Sequence, residues 1–198
     1  MDMTHQNTNP CSLLVVIVNY RTAHLTIDCL RSLEGEVRSR PDTRVVVVDN
    51  ASGDHSADAI NAAITGNGWE SWAAVLPSDH NGGFAYGNNL AIRPTLQTPD
   101  PPSYFLLLNS DTQVRPGVFK ALIGFMEQHS DVGIVGSSLE NPDGTIWSTA
   151  FRFPSVLGEL EHGVRLGIVS KLLAKWAVVQ RMTNEPQQVD WLPGASMM

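Results

Sequence analysis

Three polar residues in the middle of the chain are the strongest candidates for chemistry. Asn109, Ser110 and Asp111 follow the apolar run at residues 104–108. Such a run is typical of a strand buried on both faces, and polar residues just after it lie at the carboxyl edge of a parallel sheet, where α/β proteins bind ligands. The Asp111 carboxylate beside other oxygen atoms suits Mg²⁺ or Mn²⁺, which also bind phosphate oxygens. Alternatively, Asn109 and Asp111 only form a turn and cap the next helix.

Two earlier apolar runs also end in polar residues. Residues 13–18 and 44–48 are short and β-branched, as buried strands are. Because the carboxyl ends of parallel strands meet at one edge of a sheet, we expect the polar residues after all three runs to converge. The residues that follow the first two runs are Asn19, Tyr20, Arg21, Asp49, Asn50 and Ser52.

A glycine-rich loop is the other candidate for ligand contact. Gly82 and Gly83 lie between Asn81 and Phe84, and Asn88 follows shortly after. Adjacent glycines let a backbone approach a ligand or turn tightly before a helix. The spacing matches neither a dinucleotide-binding fingerprint nor a Walker-type phosphate loop. A simple turn remains the alternative interpretation.

The remaining pattern positions these groups in an α/β domain. Apolar periodicity predicts helices over residues 22–33, with Gly35 as the stop, over 56–65, and from the glycine loop to residue 96. A weaker strand is predicted at 72–76, a helix from Pro116 to residue 128, a fifth strand at 132–136 and a hairpin turn at 141–144. This alternation predicts a mostly parallel central sheet flanked by helices, with right-handed crossovers.

Composition limits the class of protein. At 198 residues, with 42% hydrophobic and 17% charged residues, the chain is long enough for one globular domain. The net charge of −7 argues against sequence-independent nucleic-acid binding. Cys11 and Cys29 form no disulfide framework, which favours a reducing compartment, so we expect the cytoplasm. No apolar run reaches the length of a membrane helix, and residues 1–12 are predicted to be a flexible leader.

Residues 155–181 are helical in composition, and their second half mixes basic with apolar residues. Two interpretations remain open. The helix packs on the domain with its lysines in solvent, or it lies on anionic lipid at the inner face of the cell membrane.

Five blocks of the sequence resemble the nucleotide-sugar-dependent glycosyltransferases of family 2, which have the Rossmann-like GT-A fold. The blocks are residues 18–21, 48–52, 81–88, 108–111 and 191–195, and they occur in the order of the family. The resemblance extends from about residue 13 to the end of the chain. It is greatest to the rhamnosyltransferase-type members of bacterial polysaccharide pathways.

The resemblance also implies roles for individual residues. Asp49 matches the acid that binds the pyrimidine base, and Asp111 matches the metal-binding acid of the D-x-D motif. Asn109 replaces the first acid of that motif, so weaker metal affinity is expected. Trp191 is either a sugar platform or a packing residue. The implied nucleotide-binding residues are Asn19, Tyr20, Arg21, Asp49, Asn50, Ser52, Asn81, Gly83, Phe84, Asn88, Asn109 and Ser110, and those near sugar and acceptor are Asp190, Trp191 and Gly194.

The implied reaction is metal-assisted sugar transfer with inversion, from thymidine-diphosphate rhamnose or a uridine-diphosphate sugar to a saccharide or lipid-linked acceptor. Residues 13–136 would bind the donor, and residues 137–198 would begin an acceptor-binding half. The expected catalytic base lies beyond Met198, in a segment that the chain lacks. The fold is therefore expected to be incomplete at its C-terminus, and the chain to bind nucleotide but transfer sugar poorly.

The sequence leaves two other classes of protein as alternatives. A non-catalytic nucleotide-binding or scaffold domain of the same fold is the stronger alternative, because the expected base is missing. A sugar-nucleotide pyrophosphorylase would carry a glycine-rich basic loop after the first strand, and Asn19, Tyr20 and Arg21 do not form one.

Overall fold

The computed structural model describes residues 13–156, 177–180, 182–183 and 185–198. The described residues form two compact units. The first contains the chain up to Val135 together with Gly194–Met198, and the second is Gly136–Pro193. The predicted leader at residues 1–12 and most of the predicted helix at 155–181 lie outside the described residues. No helix among the described residues is long and apolar enough to span a membrane.

In chain order the elements are β1 Leu13–Asn19, α1 Ala23–Ser39, β2 Thr43–Asp49, α2 Ser56–Asn67, β3 Ala73–Pro77, α3 Gly83–Thr95, β4 Tyr104–Asn109, α4 Val118–Gln128, β5 Leu139–Glu140, β6 Ile146–Trp147 and β7 Ser196–Met197. Strands β5 and β6 belong to the second unit. The first unit is an α/β fold built on a five-stranded sheet with the strand order β3-β2-β1-β4-β7. Strands β1 to β4 are mutually parallel, and β7 is antiparallel to β4. The predicted α/β fold with a mostly parallel sheet is confirmed.

The two faces of the sheet pack against different helices because successive strand residues point to opposite sides. In β1, Leu13, Val15 and Ile17 contribute to the larger hydrophobic cluster, which includes residues of α1, α2 and α4. Leu14 and Val16 contribute to a smaller cluster on the other face with residues of α3. Strand β1 is thus buried on both sides at the centre of the sheet, and its end has a fixed position.

Two sequence-based predictions were wrong. Gly35 does not end α1, which continues to Ser39 and buries Val37 against the core. A glycine costs about 1 kcal/mol inside a helix, and burial of the residues beyond it outweighs that preference. Residues 132–136 do not form the fifth strand. Val135 exchanges two backbone hydrogen bonds with Met198, at 2.9 and 2.8 Å, and the fifth strand of the sheet is β7.

Three smaller expectations had mixed outcomes. Helix α4 begins at Val118 rather than at Pro116, and the residue before it, Gly117, has φ +90°. The predicted hairpin is confirmed, since β5 pairs with β6 and the Asn141 N–H donates to the Thr145 carbonyl at 2.8 Å. The last residues of the helix predicted at 155–181 are not helical, because Val179 forms an antiparallel bridge with Phe151 in the second unit.

We predict that Gly87→Ala lowers the free energy of unfolding by about 1–3 kcal/mol, the usual range for overpacking. A Cβ atom at Gly87 would lie 2.9 Å from Cγ1 of Val18, so α3 would have to move away from β1. Chemical denaturation of the purified chain measures the effect. Gly35→Ala is the matched control, because it is exposed within a helix and has free space around it. It should stabilise by about 0.4–1 kcal/mol, and equal effects of the two substitutions would contradict the packing argument.

Candidate functional site

The side chain of Asn19 is fully buried and joins the ends of β1 and β2 to the start of α1. Its Nδ2 donates to Oδ1 of Asp49 at 2.7 Å and to Oγ of Ser52 at 3.2 Å. Its Oδ1 accepts hydrogen bonds from the hydroxyls of Thr26, at 2.9 Å, and Thr22, at 3.2 Å. Both donors and both acceptor positions of the amide are therefore used.

Asp49 lies beside Asn19 and is almost completely buried. Its Oδ1 also accepts a hydrogen bond from the Ser52 hydroxyl at 2.5 Å, and its Oδ2 accepts one from the Ser52 backbone N–H at 3.2 Å. A carboxylate can accept about four hydrogen bonds, and three are present here. One acceptor position of Asp49 is therefore unused within the described residues.

Arg21 is held against the same serine. Its backbone N–H donates to Oγ of Ser52 and its Nε donates to the Ser52 carbonyl, both at 3.0 Å. Its guanidinium carbon lies 5.1 Å from the ring centroid of Tyr20, and its φ of +59° is unusual for a residue other than glycine. Within the described residues the terminal guanidinium nitrogens donate no hydrogen bond. Arg21 is therefore anchored at Nε and presents its remaining donors to solvent.

The glycine loop is bound to the end of β2 by the buried Asn50. The Asn50 Nδ2 donates to Oδ1 of Asn81 at 2.8 Å and to the Gly83 carbonyl at 3.4 Å. The Asn50 Oδ1 accepts a hydrogen bond from the Gly82 N–H at 3.3 Å. Gly83 has φ +81° and donates its N–H to Asn81 at 2.9 Å. These hydrogen bonds hold the loop as a defined turn at the carboxyl edge of the sheet.

Phe84, which is partly exposed, lies beside two further predicted site residues, Asn88 and Gly194. The Nδ2 of the buried Asn88 donates to the Phe84 carbonyl at 2.9 Å, and the Asn88 Oδ1 has no hydrogen-bond partner in the described chain. A Cβ atom at Gly194 would lie 3.0 Å from Cε1 of Phe84, so a larger residue at this position would press on the ring. The structure therefore brings Gly194, close to the end of the chain, beside the glycine loop.

The end of β4 carries Asn109, Ser110 and Asp111. The Asn109 N–H donates to the Ala195 carbonyl at 2.9 Å, and the Ser110 hydroxyl lies 3.1 Å from the Thr22 hydroxyl. The Asp111 side chain is exposed. The strand-end groups of β1, β2 and β4 thus lie along one edge of the sheet and are linked by hydrogen bonds.

Cys29 lies beneath the end of β4 and is excluded as a nucleophile. Its thiol is fully buried and lies 3.8 Å from the Asn109 carbonyl. Burial, reinforced by the negative charge of Asp111, raises the pKa of the Cys29 thiol to about 12. The thiol therefore stays protonated at neutral pH, and its role is packing.

Asp190 and Trp191 belong to the second unit, and both contact other residues of that unit. The Trp191 ring stacks on Phe151 with centroids 4.1 Å apart and planes 11° apart, and its Nε1 donates to the Arg152 carbonyl at 3.2 Å. The Asp190 Oδ2 accepts a hydrogen bond from the Phe153 N–H at 2.8 Å. The interpretation of Trp191 as a packing residue thus has a structural basis.

Sequence reasoning missed four polar residues of α1 and its N-cap that support the site. Thr22 and Thr26 complete the hydrogen bonds of Asn19, while Ser32 and Glu36 contact the chain that follows β4. Glu36 left a signal in the sequence, because it lies next to the apolar positions of the helix. An acid that is buried at such a position almost always has a partner. The two threonines left none that distinguishes them from solvent-exposed residues.

A divalent cation fits this site only together with a negatively charged ligand. The described residues contain no cluster of three or more histidine, cysteine or acidic side chains that could hold a metal ion. Asp111 supplies one exposed carboxylate, next to the side-chain oxygens of Asn109 and Ser110 in the chain. Mg²⁺ is commonly bound by one or two carboxylates plus phosphate oxygens. The donor set therefore suits an ion bound together with a diphosphate.

A match to a known protein family decides the family of the chain. Residues 14–169 match the family model for glycosyl transferase family 2. The chain belongs to this family. The five sequence blocks predicted that the chain belongs to this family, so that part of the resemblance is confirmed. No curated protein sequence matches the chain.

Solved structures show the same fold at low sequence identity. A mannosyltransferase from Pyrobaculum calidifontis, in complex with GDP-Man and Mn²⁺, has a TM-score of 0.55 and 20% identity over 69% of this chain. Residues 1–349 of TarS from S. aureus have a TM-score of 0.54 and 21% identity over 71% of this chain, and a complex with UDP-GlcNAc matches equally well. The chain spans only 37% and 41% of the lengths of those two solved chains.

We predict that Asn19→Ala destabilises the chain by about 2–4 kcal/mol, because it removes an amide that makes four hydrogen bonds in a buried network, one of them to the Asp49 carboxylate. Urea denaturation followed by circular dichroism measures the loss. Asn67→Ala is the control, since that exposed amide only donates to the Ala63 carbonyl of its own helix, at 2.7 Å. It should change stability by less than about 0.5 kcal/mol. A small loss for Asn19→Ala would mean that water replaces the amide.

Proposed function

We propose that the carboxyl edge of the sheet binds the nucleotide of a nucleoside-diphosphate sugar, and that the protein transfers the sugar to an acceptor. The observation that carries the proposal is the joining of three strand ends and the glycine loop into one hydrogen-bonded edge. Asn19, Ser52 and Asn50 join the ends of β1 and β2 to the glycine loop, and the contact between Thr22 and Ser110 joins the end of β4. Family membership supports the reaction class, and the position of the edge agrees with the general binding crevice of open α/β sheets.

Asp49 is proposed to bind the base. Its one remaining acceptor position matches the single N–H on the pairing edge of uracil or thymine. Guanine presents two neighbouring N–H donors and would need a second acceptor. The solved relatives carry GDP-Man in one case and UDP-GlcNAc in another, so the fold accommodates either kind of base. The hydrogen-bond count at Asp49 favours a uridine or thymidine diphosphate here.

Arg21 and Asp111 are proposed to serve the diphosphate. The guanidinium group of Arg21 has free donors that suit phosphate oxygens. Asp111, with Asn109 and Ser110 beside it, would hold Mg²⁺ or Mn²⁺. When bound, the cation would offset the negative charge that develops on the leaving diphosphate. The Mn²⁺ in one solved relative supports a metal requirement.

The proposed transfer proceeds with inversion at the anomeric carbon, by direct attack of an acceptor hydroxyl whose proton passes to a carboxylate. Residues 13–136 are assigned to donor binding and residues 137–198 to the start of an acceptor-binding half, with Asp190, Trp191 and Gly194 near sugar and acceptor. Rhamnose is the proposed sugar, on the resemblance of the sequence blocks to rhamnosyltransferases. The proposed acceptor is a saccharide or lipid-linked saccharide of bacterial polysaccharide or cell-wall synthesis, reached in the cytoplasm at the inner face of the membrane.

We predict that uridine or thymidine diphosphate with Mn²⁺ stabilises the chain against thermal unfolding, and that guanosine diphosphate does so less. A ligand present at 100 times its dissociation constant adds about 2.7 kcal/mol, which raises the melting temperature by several degrees. Asp111→Ala should weaken binding in Mn²⁺ by about tenfold or more, equivalent to about 1.4 kcal/mol. Calorimetric titration in Mn²⁺ and in chelator measures the two affinities separately.

Asp100→Ala is the matched control for this experiment. Asp100 is also an exposed carboxylate, but it lies in a groove with Leu14 and Arg44, at the starts of β1 and β2, on the opposite edge of the sheet. It should leave both affinities unchanged. Equal losses for the two variants would argue against a metal site at Asp111, and no binding of any nucleotide would contradict the proposed function. Binding without sugar transfer would instead favour a non-catalytic nucleotide-binding domain.

A further inference from the structure

One face of α1 contacts the chain on both sides of Asp111. Thr22, Cys29, Ser32 and Glu36 are separated by seven, three and four residues, so they lie on one side of the helix and its N-cap. Each of them contacts the segment between Asn109 and Phe119. We propose that Ser32 and Glu36 are positioning residues, which set the place of the Asp111 carboxylate without touching a ligand. This inference rests on the proposed function of the site.

Ser32 holds the middle of the segment. Its hydroxyl accepts a hydrogen bond from the Val114 N–H at 2.9 Å and donates to the Cys29 carbonyl at 2.6 Å. Val114 is partly buried against the larger hydrophobic cluster. A backbone N–H removed from water needs a partner, and Ser32 supplies it three residues after Asp111. The hydroxyl therefore fixes the chain immediately beyond the proposed metal site.

Glu36 holds the far end of the segment, where α4 begins. The N-cap residue of α4 is Gly117, which has no side chain with which to cap the helix. The buried Glu36 carboxylate takes this role from α1, because Oε1 accepts a hydrogen bond from the Gly117 N–H at 2.6 Å and Oε2 accepts one from the Phe119 N–H at 2.8 Å. A negative charge at a helix N-terminus is favourable, and its hydrogen bonds offset the cost of burial.

The near end of the segment is held by Thr22 and Cys29. The Thr22 hydroxyl lies 3.1 Å from the Ser110 hydroxyl, one residue before Asp111, and the Cys29 thiol lies beneath the Asn109 carbonyl. Asp111 is consequently an exposed residue between two fixed points, Ser110 and Val114. Residues that orient a metal-binding group commonly change metal affinity by 10- to 100-fold when they are substituted. A purely structural role would instead lower stability and leave the metal dependence of binding unchanged.

The first test uses Ser32→Ala, with Ser32→Thr as the conservative variant and Ser39→Ala as the control. Ser39 is on the same helix, is exposed, and donates only to the carbonyl of Glu36 at 2.7 Å. We measure the dissociation constants of uridine and thymidine diphosphate by calorimetry, each in Mn²⁺ and in chelator. Ser32→Ala should weaken binding about tenfold in Mn²⁺ and leave it unchanged in chelator. Ser32→Thr should restore the affinity, and Ser39→Ala should not affect it.

Glu36→Gln supplies the second test, with Glu34→Gln as its control. Glu34 pairs with Arg38 at 2.9 Å on the helix surface, away from the segment. Glu36→Gln keeps the side-chain volume but removes one acceptor oxygen and the charge. We expect the same metal-specific loss of affinity. Amide hydrogen exchange of the ligand-free protein gives a second readout, since residues 112–119 should exchange faster in Glu36→Gln and in Ser32→Ala than in either control.

The outcomes separate this inference from the proposed function. If Ser32→Ala and Glu36→Gln change the affinities in Mn²⁺ and in chelator by the same factor, or change neither, the positioning role is wrong while nucleotide binding stands. Binding by the unaltered chain that does not depend on Mn²⁺ overturns the role as well. Failure of the unaltered chain to bind any nucleotide overturns the proposed function and this inference together. Ser32→Ala removes one hydroxyl only, so it decides the question even if Glu36→Gln does not fold.

Discussion

The buried amide of Asn19 is the interaction on which the site depends. It ends the central strand of the sheet and uses all of its hydrogen-bonding capacity on Asp49, Ser52, Thr22 and Thr26. A buried polar network is stable only when its members are satisfied, so these residues have little freedom to move independently. The arrangement explains how the loops after two different strands and the start of α1 are held in one geometry.

The same edge of the sheet divides into a buried part and an exposed part. Asp49 and Asn50 are buried, and protein partners take up most of their hydrogen bonds. Arg21 and Asp111 are exposed. Arg21 is held through its Nε atom, and Asp111 is held through the backbone beside it. A flat neutral base suits the buried part, because little charge is removed from water there. A diphosphate keeps much of its hydration and suits the exposed part, which supports the proposed orientation of the donor.

Much of this fold was predictable from local sequence patterns, and the exceptions are long-range contacts. Strands β1, β2 and β4 appear as apolar runs because both of their faces are buried, and polar residues mark where they end. Strand β7 consists of two residues that pair with a strand nearly ninety positions earlier, as in the pairing of Leu108 with Ser196, so it leaves no pattern. The partners of Glu36 are long-range in the same way, since Gly117 and Phe119 lie at the start of a helix about eighty positions later. At the site, the candidate residues could be predicted, whereas the bonding of Asn19 and the contacts of Trp191 required coordinates.

Asn109, which the family resemblance aligns with an acid, has a physical consequence for the proposed metal site. The backbone of Asn109 is occupied on both sides, since its N–H donates to Ala195 and its carbonyl accepts a hydrogen bond from Thr112. Its side chain adds a neutral oxygen where a second carboxylate would add charge. With Asp111 as the one carboxylate of the proposed metal site, a cation would gain much of its electrostatic stabilisation from the diphosphate itself. Metal and nucleotide should therefore strengthen each other's binding reciprocally, and neither should bind tightly alone.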